Sequence, residues 1–349
     1  MRLWRARAHT ANQLSDRNKC SSRRVPRVDD WLKNILVCPR DHFSVQIESD
    51  GLVCHAGHRY PIVAGVPLML LPEVKQTHRA AKISLEHASL RGHMGKVTDQ
   101  SITGVDEFVQ HEIGATNGLA YRTLSRKLKE YPIPKLCAPQ SAGGNFLDIG
   151  CNWGRWSIAA SRMGYKTVGI DPNLEAILAA ARVAKQLGSQ VQYLVADARY
   201  LPFAERAFDF VFSYSVLQHF DKGEVLLSLS EIRRVLRVGG RSMVQMPNMF
   251  GLRSLYHQLR RRFRKAKDFE VRYWTLSEMR SAFCSSIGSG TVLVDGYFSL
   301  NPRTEDAHML PWKCRLVFRL SDFLRDLSIK VPAITRVADS LYVISTRDK

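Results

Sequence analysis

Three aspartates each close a short apolar run: Asp148 in NFLDIG, Asp171 in KTVGIDP and Asp197 in VQYLVAD. Asp148 leads into a bend with two glycines, Gly150-Cys-Asn-Trp-Gly154. A carboxylate at a strand end beside such a bend can accept the hydroxyls of a ribose, and Asp171, 23 residues after Asp148, stands where this happens. Asp197 stands where a carboxylate can take an adenine amino group, and Asp148 either orients the bend or meets a ligand amine. The dinucleotide fingerprint G-x-G-x-x-G is not met: no third glycine follows, and Asn152 carries a side chain where a pyrophosphate would press. The expected ligand therefore carries adenosine without a phosphate.

A second constellation lies near the N-terminus. Cys38-Pro-Arg-Asp-His42 and Cys54-His-Ala-Gly-His58 both read C-x3-H, with eleven residues between His42 and Cys54. Two ligands from each of two turns is the layout of a tetrahedral structural zinc site. The expected set is Cys38, His42, Cys54 and His58, with Asp41 and His55 as spares; the alternative is a metal-free β unit with surface histidines. A third candidate is His219 in SVLQHF, where a near-neutral imidazole could remove a proton as a general base, or else simply pack a helix start. His257, Tyr273 and Trp274 are weaker pocket candidates, or ordinary core and lid residues.

The elements that must position these groups follow from periodicity. From Asn145 onward the chain alternates strands with helices of 10–17 residues: RWSIAASRMG, NLEAILAAARVAKQLG and EVLLSLSEIRRVLRVGG are read as helices, FDFVFSYS and RSMVQMP as strands. That pattern means βαβ units, an α/β fold and a mostly parallel sheet. Residues 29–75 read as a small β unit, with Asp50-Gly51 as a hairpin turn. Residues 76–139 read as a helical connection and lid, with SLEHASL and GLAYRTLSRKLKEY at helical spacing. The main domain covers 140–349, with substrate-lid insertions expected at 250–274 and 302–338.

The stretches LDIGCNWGRW, VGIDPN, VADARYLPF, FDFVFSYSVLQHF and EIRRVLRVGG resemble, in order over about residues 120–250, the class I S-adenosylmethionine-dependent methyltransferases, in the group that includes quinone and other small-molecule methyltransferases. The resemblance implies a Rossmann-like sheet of seven strands, mostly parallel with the last strand antiparallel, so Leu341–Thr346 should return to the core. It implies a cofactor site of Asp148, Gly150, Asn152, Trp153, Gly154, Asp171, Asn173, Asp197, Ala198 and Ser213. The segment LVCP…LVCHAGHRYPIVAGVPLMLLPE resembles the zinc-ribbon-like activator subunit of eukaryotic tRNA and protein methyltransferases and the N-terminal ribbon of 23S ribosomal RNA guanine methyltransferases. Those relatives mostly use CxxC knuckles.

Composition bounds the partners. The 349 residues carry a formal charge of +19, of which +7 lies in residues 1–28 and another +7 in residues 251–267. Residues 1–28 read as a disordered basic arm; a transit peptide or an over-extended translation start would look the same. Seven scattered cysteines without a CxxC, and no apolar leader, point to a reducing cytoplasm, with peripheral membrane contact as an option. The main expectation is methyl transfer, most simply at oxygen, to a small or lipid-linked acceptor, with LVFRLSDFLRDLS and LRRRFRKAK against an anionic membrane. The alternative is methylation of rRNA or tRNA, gripped by the ribbon and the same basic segment. The absence of a [DNS]-P-P-[YFW] motif after the fourth strand counts against exocyclic-amine chemistry. A binding protein without turnover is a third reading, which the intact acids oppose.

Overall fold

The structure, a computed structural model, describes residues 28–48, 51–89, 104–298 and 304–349. The expected basic arm, apart from Val28, and Asp50 of the expected hairpin turn lie outside them.

The N-terminal unit opens with α1 (Asp30–Lys33) and continues into a four-stranded antiparallel sheet, β1 (Val45–Glu48), β2 (Gly51–Cys54), β3 (Arg59–Val63) and β4 (Val66–Pro67), in that spatial order. Its core is continuous with that of the main domain. Leu36, Leu52, Tyr60 and Met69 are buried in one cluster with Leu201, Phe203 and Phe208 of the main domain. Leu68 bridges to Val195, and the Met69 N–H donates to the Val195 carbonyl at 2.8 Å, covering what would be an open sheet edge.

Two helices follow, α2 (Arg79–Ser89) and α3 (Glu107–Thr116). The expected helix GLAYRTLSRKLKEY does not form beyond a 3-10 turn over Leu119–Leu124. The Gln110 side chain of α3 donates to the Leu128 carbonyl at 2.7 Å and accepts from its N–H at 2.9 Å, so the groups a helix would pair are already used. Arg126, at φ 62°, turns the chain out of helical geometry.

The main domain runs β5 (Asn145–Ile149), α4 (Arg155–Arg162), β6 (Lys166–Asp171), α5 (Leu174–Gln186), β7 (Val191–Val195), β8 (Phe208–Ser213), α6 (Lys222–Val235), β9 (Leu236–Pro247), α7 (Leu252–Arg260), α8 (Leu276–Ser286), β10 (Gly290–Gly296), α9 (Trp312–Lys330) and β11 (Ser340–Thr346). The seven strands lie in the order β10-β11-β9-β8-β5-β6-β7. Strand β11, which contains Leu341–Thr346, enters between β9 and β10 and runs antiparallel to both, as expected; the other neighbours pair in parallel. Helix α6 ends five residues earlier than its glycines suggested. Arg347 Nη1 donates to the carbonyls of Arg233, Arg234 and Leu236, capping the helix, and Leu236 begins β9 opposite Phe208.

Both faces of the sheet are covered, which is why its strands are apolar throughout. Leu147, Ile149, Val168 and Val211 face one cluster; Phe146, Phe210 and Phe212 face another, with Trp156 of α4 packed 4.9 Å from Phe212. The strand order reverses at β5, whose neighbours are β6 and β8. In open α/β sheets the crevice beyond the strand ends at this point is where ligands bind.

Candidate active site and metal centre

A cavity of about 380 Å³ opens at that point. Its floor is the bend after β5 and the ends of β6 to β8, and its walls include Glu112 and Thr116 of α3, residues 76–78, and Phe269. The volume and mixed lining are those of a small-molecule site.

Gly150 sits at φ 73°, and a Cβ there would overlap the Val216 side chain; only glycine fits this close approach. Asp171 holds the bend down: its Oδ2 accepts the Asn152 N–H at 3.0 Å and its Oδ1 the Asn173 N–H at 2.9 Å. Each oxygen keeps a further lone pair toward the cavity that it lines. Burial raises its pKa to about 6, partly offset by those two N–H bonds.

The other two acids are otherwise engaged. Asp148 is buried and absent from the cavity lining; its Oδ2 accepts the Ser157 hydroxyl at 2.6 Å, and the Ser157 N–H adds a bond at the start of α4. It ties the end of β5 to the first turn of α4, and burial lifts its pKa to about 7. Asp197 does line the cavity, but Arg199 claims its carboxylate, with Nε 3.0 Å from Oδ1 and Nη2 2.6 Å from Oδ2. Arg199 also reaches Glu224 of α6 and the Lys75 carbonyl, so this pair ties the end of the N-terminal unit and α6 to the end of β7.

Asn152, Asn173 and Ala198 line the cavity as expected. Trp153 borders it, though its ring is only 1% exposed and its Nε1–H donates to Thr116 Oγ1 at 3.3 Å. Gly154, the N-cap of α4 at φ 84°, and Ser213, whose hydroxyl donates to the Ile149 carbonyl, lie beneath the site rather than in its wall. His257 and Tyr273 line a separate cleft, and Trp274 is core, 3% exposed.

His219 is in the wall. Its Nδ1 lies 2.7 Å from the Phe269 carbonyl, which can only accept, so the proton is on Nδ1 and Nε2 is the acceptor, its lone pair facing the Gln218 amide nitrogen at 3.2 Å. The ring stacks on Phe269 at 3.7 Å, and burial lowers its pKa to about 4, with the nearby His78 and Arg272 adding to the effect. His78, from the chain before α2, packs edge-on against the other side of this region, 4.4 Å from Phe269. Its Nδ1 accepts the Ala80 N–H, leaving Nε2 as a donor. Sequence reading missed His78 and Phe269: both come from far along the chain, and neither sits in a motif.

The metal constellation forms with one substitution. Cys38, Asp41, Cys54 and His58 bring one ligand atom each within 4.8 Å of one another. His58 Nδ1 is 3.5 Å from Cys38 Sγ, 3.4 Å from Cys54 Sγ and 2.9 Å from Asp41 Oδ2. Tetrahedral bonds of about 2.0–2.3 Å need ligand separations of about 3.3–3.8 Å, which the two sulfur–nitrogen distances meet and the shorter oxygen–nitrogen one approaches. His42, expected as a ligand, turns away at φ 59° toward Glu231, 3.9 Å off. The reason is local: Asp41 Oδ1 accepts the Phe43 N–H in a tight turn that leaves Oδ2 facing Cys54. The knuckle is thus Cys-x2-Asp, with aspartate at the second-cysteine place of a CxxC.

Residues 146–240 match the family described as "Methyltransferase domain". This stretch contains the glycine bend, Asp171, Asp197 and His219, so the match falls on residues that line the cavity just described. Among curated relatives, the chain is 36% identical over 107 residues to a ubiquinone biosynthesis O-methyltransferase of Rhizobium rhizogenes, covering 31% of this chain and 42% of that protein. It is 27% identical over 170 residues to a demethylmenaquinone methyltransferase of Bacillus velezensis, covering 47% of this chain and 71% of the relative. A crystal structure of the PH0226 protein of Pyrococcus horikoshii aligns with 70% of this chain and all of its own, at 18% identity and a TM-score of 0.43. The chain thus spans less than half of the first of these relatives. Residues 29–75 lie outside the matched family region.

Proposed function

We propose that the protein is an S-adenosylmethionine-dependent methyltransferase that acts on a ring-bearing, quinone-like small or lipid-linked acceptor, at a hydroxyl oxygen. The observation that carries this is the placement of His219 in the wall of the cavity floored by the glycine bend and Asp171. The residues fit the cofactor: Gly150 and Asp171 line the cavity, and Asp171 has lone pairs for ribose hydroxyls. Asn152, Asn173 and Ala198 would complete the contact. When bound, the cofactor supplies an activated methyl group on a sulfonium.

The chain's own part is alignment, proton removal and exclusion of water. Nε2 of His219 takes the acceptor's hydroxyl proton once that hydroxyl displaces the Gln218 amide from it, and the Phe269 carbonyl holds the tautomer that permits it. Phe269 and His78 pack edge to face in the cavity wall beside His219. The quinone names of the two curated relatives support the acceptor class, and the first supports oxygen. The test is a methylation panel of phenolic and catechol-type rings against structured RNA, read as S-adenosylhomocysteine released. Turnover with the rings is expected; turnover on RNA alone, or cofactor binding without any turnover, would sink the reading.

We also propose that Cys38, Asp41, Cys54 and His58 hold a structural zinc ion. The donor set fits: two buried thiols, an imidazole and a carboxylate converge on one point. Metal analysis of the purified protein should find one zinc per chain. Cys54→Ser should lose it and melt at a lower temperature, whereas His42→Ala should keep it. Retention of metal by Cys54→Ser would refute the assignment.

A further inference from the structure

Helix α7 is inside out. Its protein-facing positions are polar: Ser254 is 2% and Gln258 5% exposed, with the Gln258 amide donating to the Met249 carbonyl at 2.8 Å. Its outer face is apolar: Leu252, Tyr256, Leu259 and, just past the helix end, Phe263 are 49%, 56%, 60% and 63% exposed. The spacing i, i+4, i+7 of Leu252, Tyr256 and Leu259 makes one stripe, with Phe263 exposed beyond the helix end, and a surface helix of a globular protein normally turns such a stripe inward. Helix α9 repeats the inversion in part, with Ser321 and Ser328 buried and Trp312, Leu316, Leu320 and Phe323 exposed. The two helices are neighbours through Asp339: its Oδ1 accepts from the Arg253 and Ser254 N–H groups of α7, and its Oδ2 from Phe298, next to Tyr297, whose N–H donates to Ser321 of α9.

The charge around α7 selects what covers it. Residues 251–267 hold seven Lys/Arg and no acid. Just beyond the helix, a cleft of about 700 Å³ is lined by Arg260, Arg261, Arg262 and Arg264, with Glu270 paired to Arg264. Arg261 is fixed there, donating to the Val271 carbonyl at 2.9 Å and lying 5.2 Å from the Tyr273 ring, while its buried Nε–H has no acceptor among the described residues. The cleft shares Phe269 with the methyl-transfer cavity.

We infer that α7 and the arginine cleft behind it dock the protein on an anionic lipid bilayer, with Leu252, Tyr256, Leu259 and Phe263 entering the headgroup–acyl boundary and the arginines taking lipid phosphates. A second copy of the chain would set one arginine-rich face against another. An RNA would answer the arginines but leave the apolar stripe in water. A bilayer with acidic headgroups satisfies both. Docking there puts the shared Phe269 wall, and so the reaction cavity, at the lipid surface. The inference stands independently of the methyl-transfer reading.

The test is co-sedimentation of the full chain with vesicles of phosphatidylcholine alone or with about a third phosphatidylglycerol, at low and high salt. Binding is expected only with the acidic lipid, weakening with salt. The N-terminal basic residues could give that result by charge alone, so the deciding variant is Leu259→Ser with Phe263→Ser. Both side chains are exposed, so its circular dichroism should match the parent, and its partition constant should fall about tenfold or more. An unchanged partition constant overturns the inference, as does equal binding to neutral vesicles. So does structured RNA binding that the double variant leaves intact while vesicles are ignored, or a dimer in sedimentation equilibrium that the variant abolishes.

Discussion

Replacing Asp171 with alanine should weaken S-adenosylmethionine binding about a hundredfold or more, since two charge-assisted bonds to ribose hydroxyls at about 1.5 kcal/mol each amount to that factor. The change also frees the Asn152 and Asn173 N–H groups that pin the bend, so the floor of the cavity loosens as its main acceptor disappears. Asp171→Asn should be milder, because an amide oxygen still accepts one bond. The parent protein adds a pH signature. Burial holds the folded carboxyl near pKa 6, and ribose hydroxyls donate to the ionised form, so affinity should weaken as pH falls through about 6. Without ligand the sign is the reverse for stability: a raised carboxyl pKa favours the fold at low pH, and that contribution is lost as pH rises from about 4 through 6. Isothermal calorimetry across pH 5–8 measures the affinity; an Asp171→Ala protein that binds like the parent would remove the cofactor assignment.

His219→Ala should lower kcat by about 10²–10⁴, the usual worth of a positioned base, with a much smaller change in KM. His219→Gln keeps a donor for the Phe269 carbonyl but no basic nitrogen, so it should restore folding and not rate. Because burial lowers the His219 pKa to about 4, the imidazole is neutral throughout the normal range. The parent rate should therefore show no inflection near 6.5 and an acid limb only toward pH 4. The same shift works against the fold in acid: an unfolded histidine takes a proton that the folded one refuses, so stability falls as pH drops from about 6.5 toward 4. A pH–rate profile on His219→Ala that matches the parent in height and shape would show the group only packs.

The sheet was readable because its evidence is local. Apolar runs of strand length and helices closed by Gly164 and Gly188 each carry their own signal, and each forms. The acids were readable as a set but not as individuals: which of Asp148, Asp171 and Asp197 faces the cavity free depends on Ser157 and Arg199, whose directions no spacing reveals. Equal C-x3-H spacing suggested His42, and one turn hydrogen bond at Asp41 decided otherwise. The wall of the site was the least legible part. His78, His219 and Phe269 converge from positions separated by 141 and 50 residues, and their meeting is a property of packing alone. The run GLAYRTLSRKLKEY has helical spacing, yet the tertiary bonds of Gln110 override it.

Strand β11 has a consequence for how the molecule assembles. It lies between β9 and β10, so the β9 flank away from β8 pairs Arg241 with Thr346, and β10 is joined to the sheet solely through β11 among the described residues. Pairing across about a hundred positions must wait for a costly loop closure, which slows the final step. Until then one flank of β9 is a sticky, unzipped ribbon, and the nascent protein is most prone to clump at that stage.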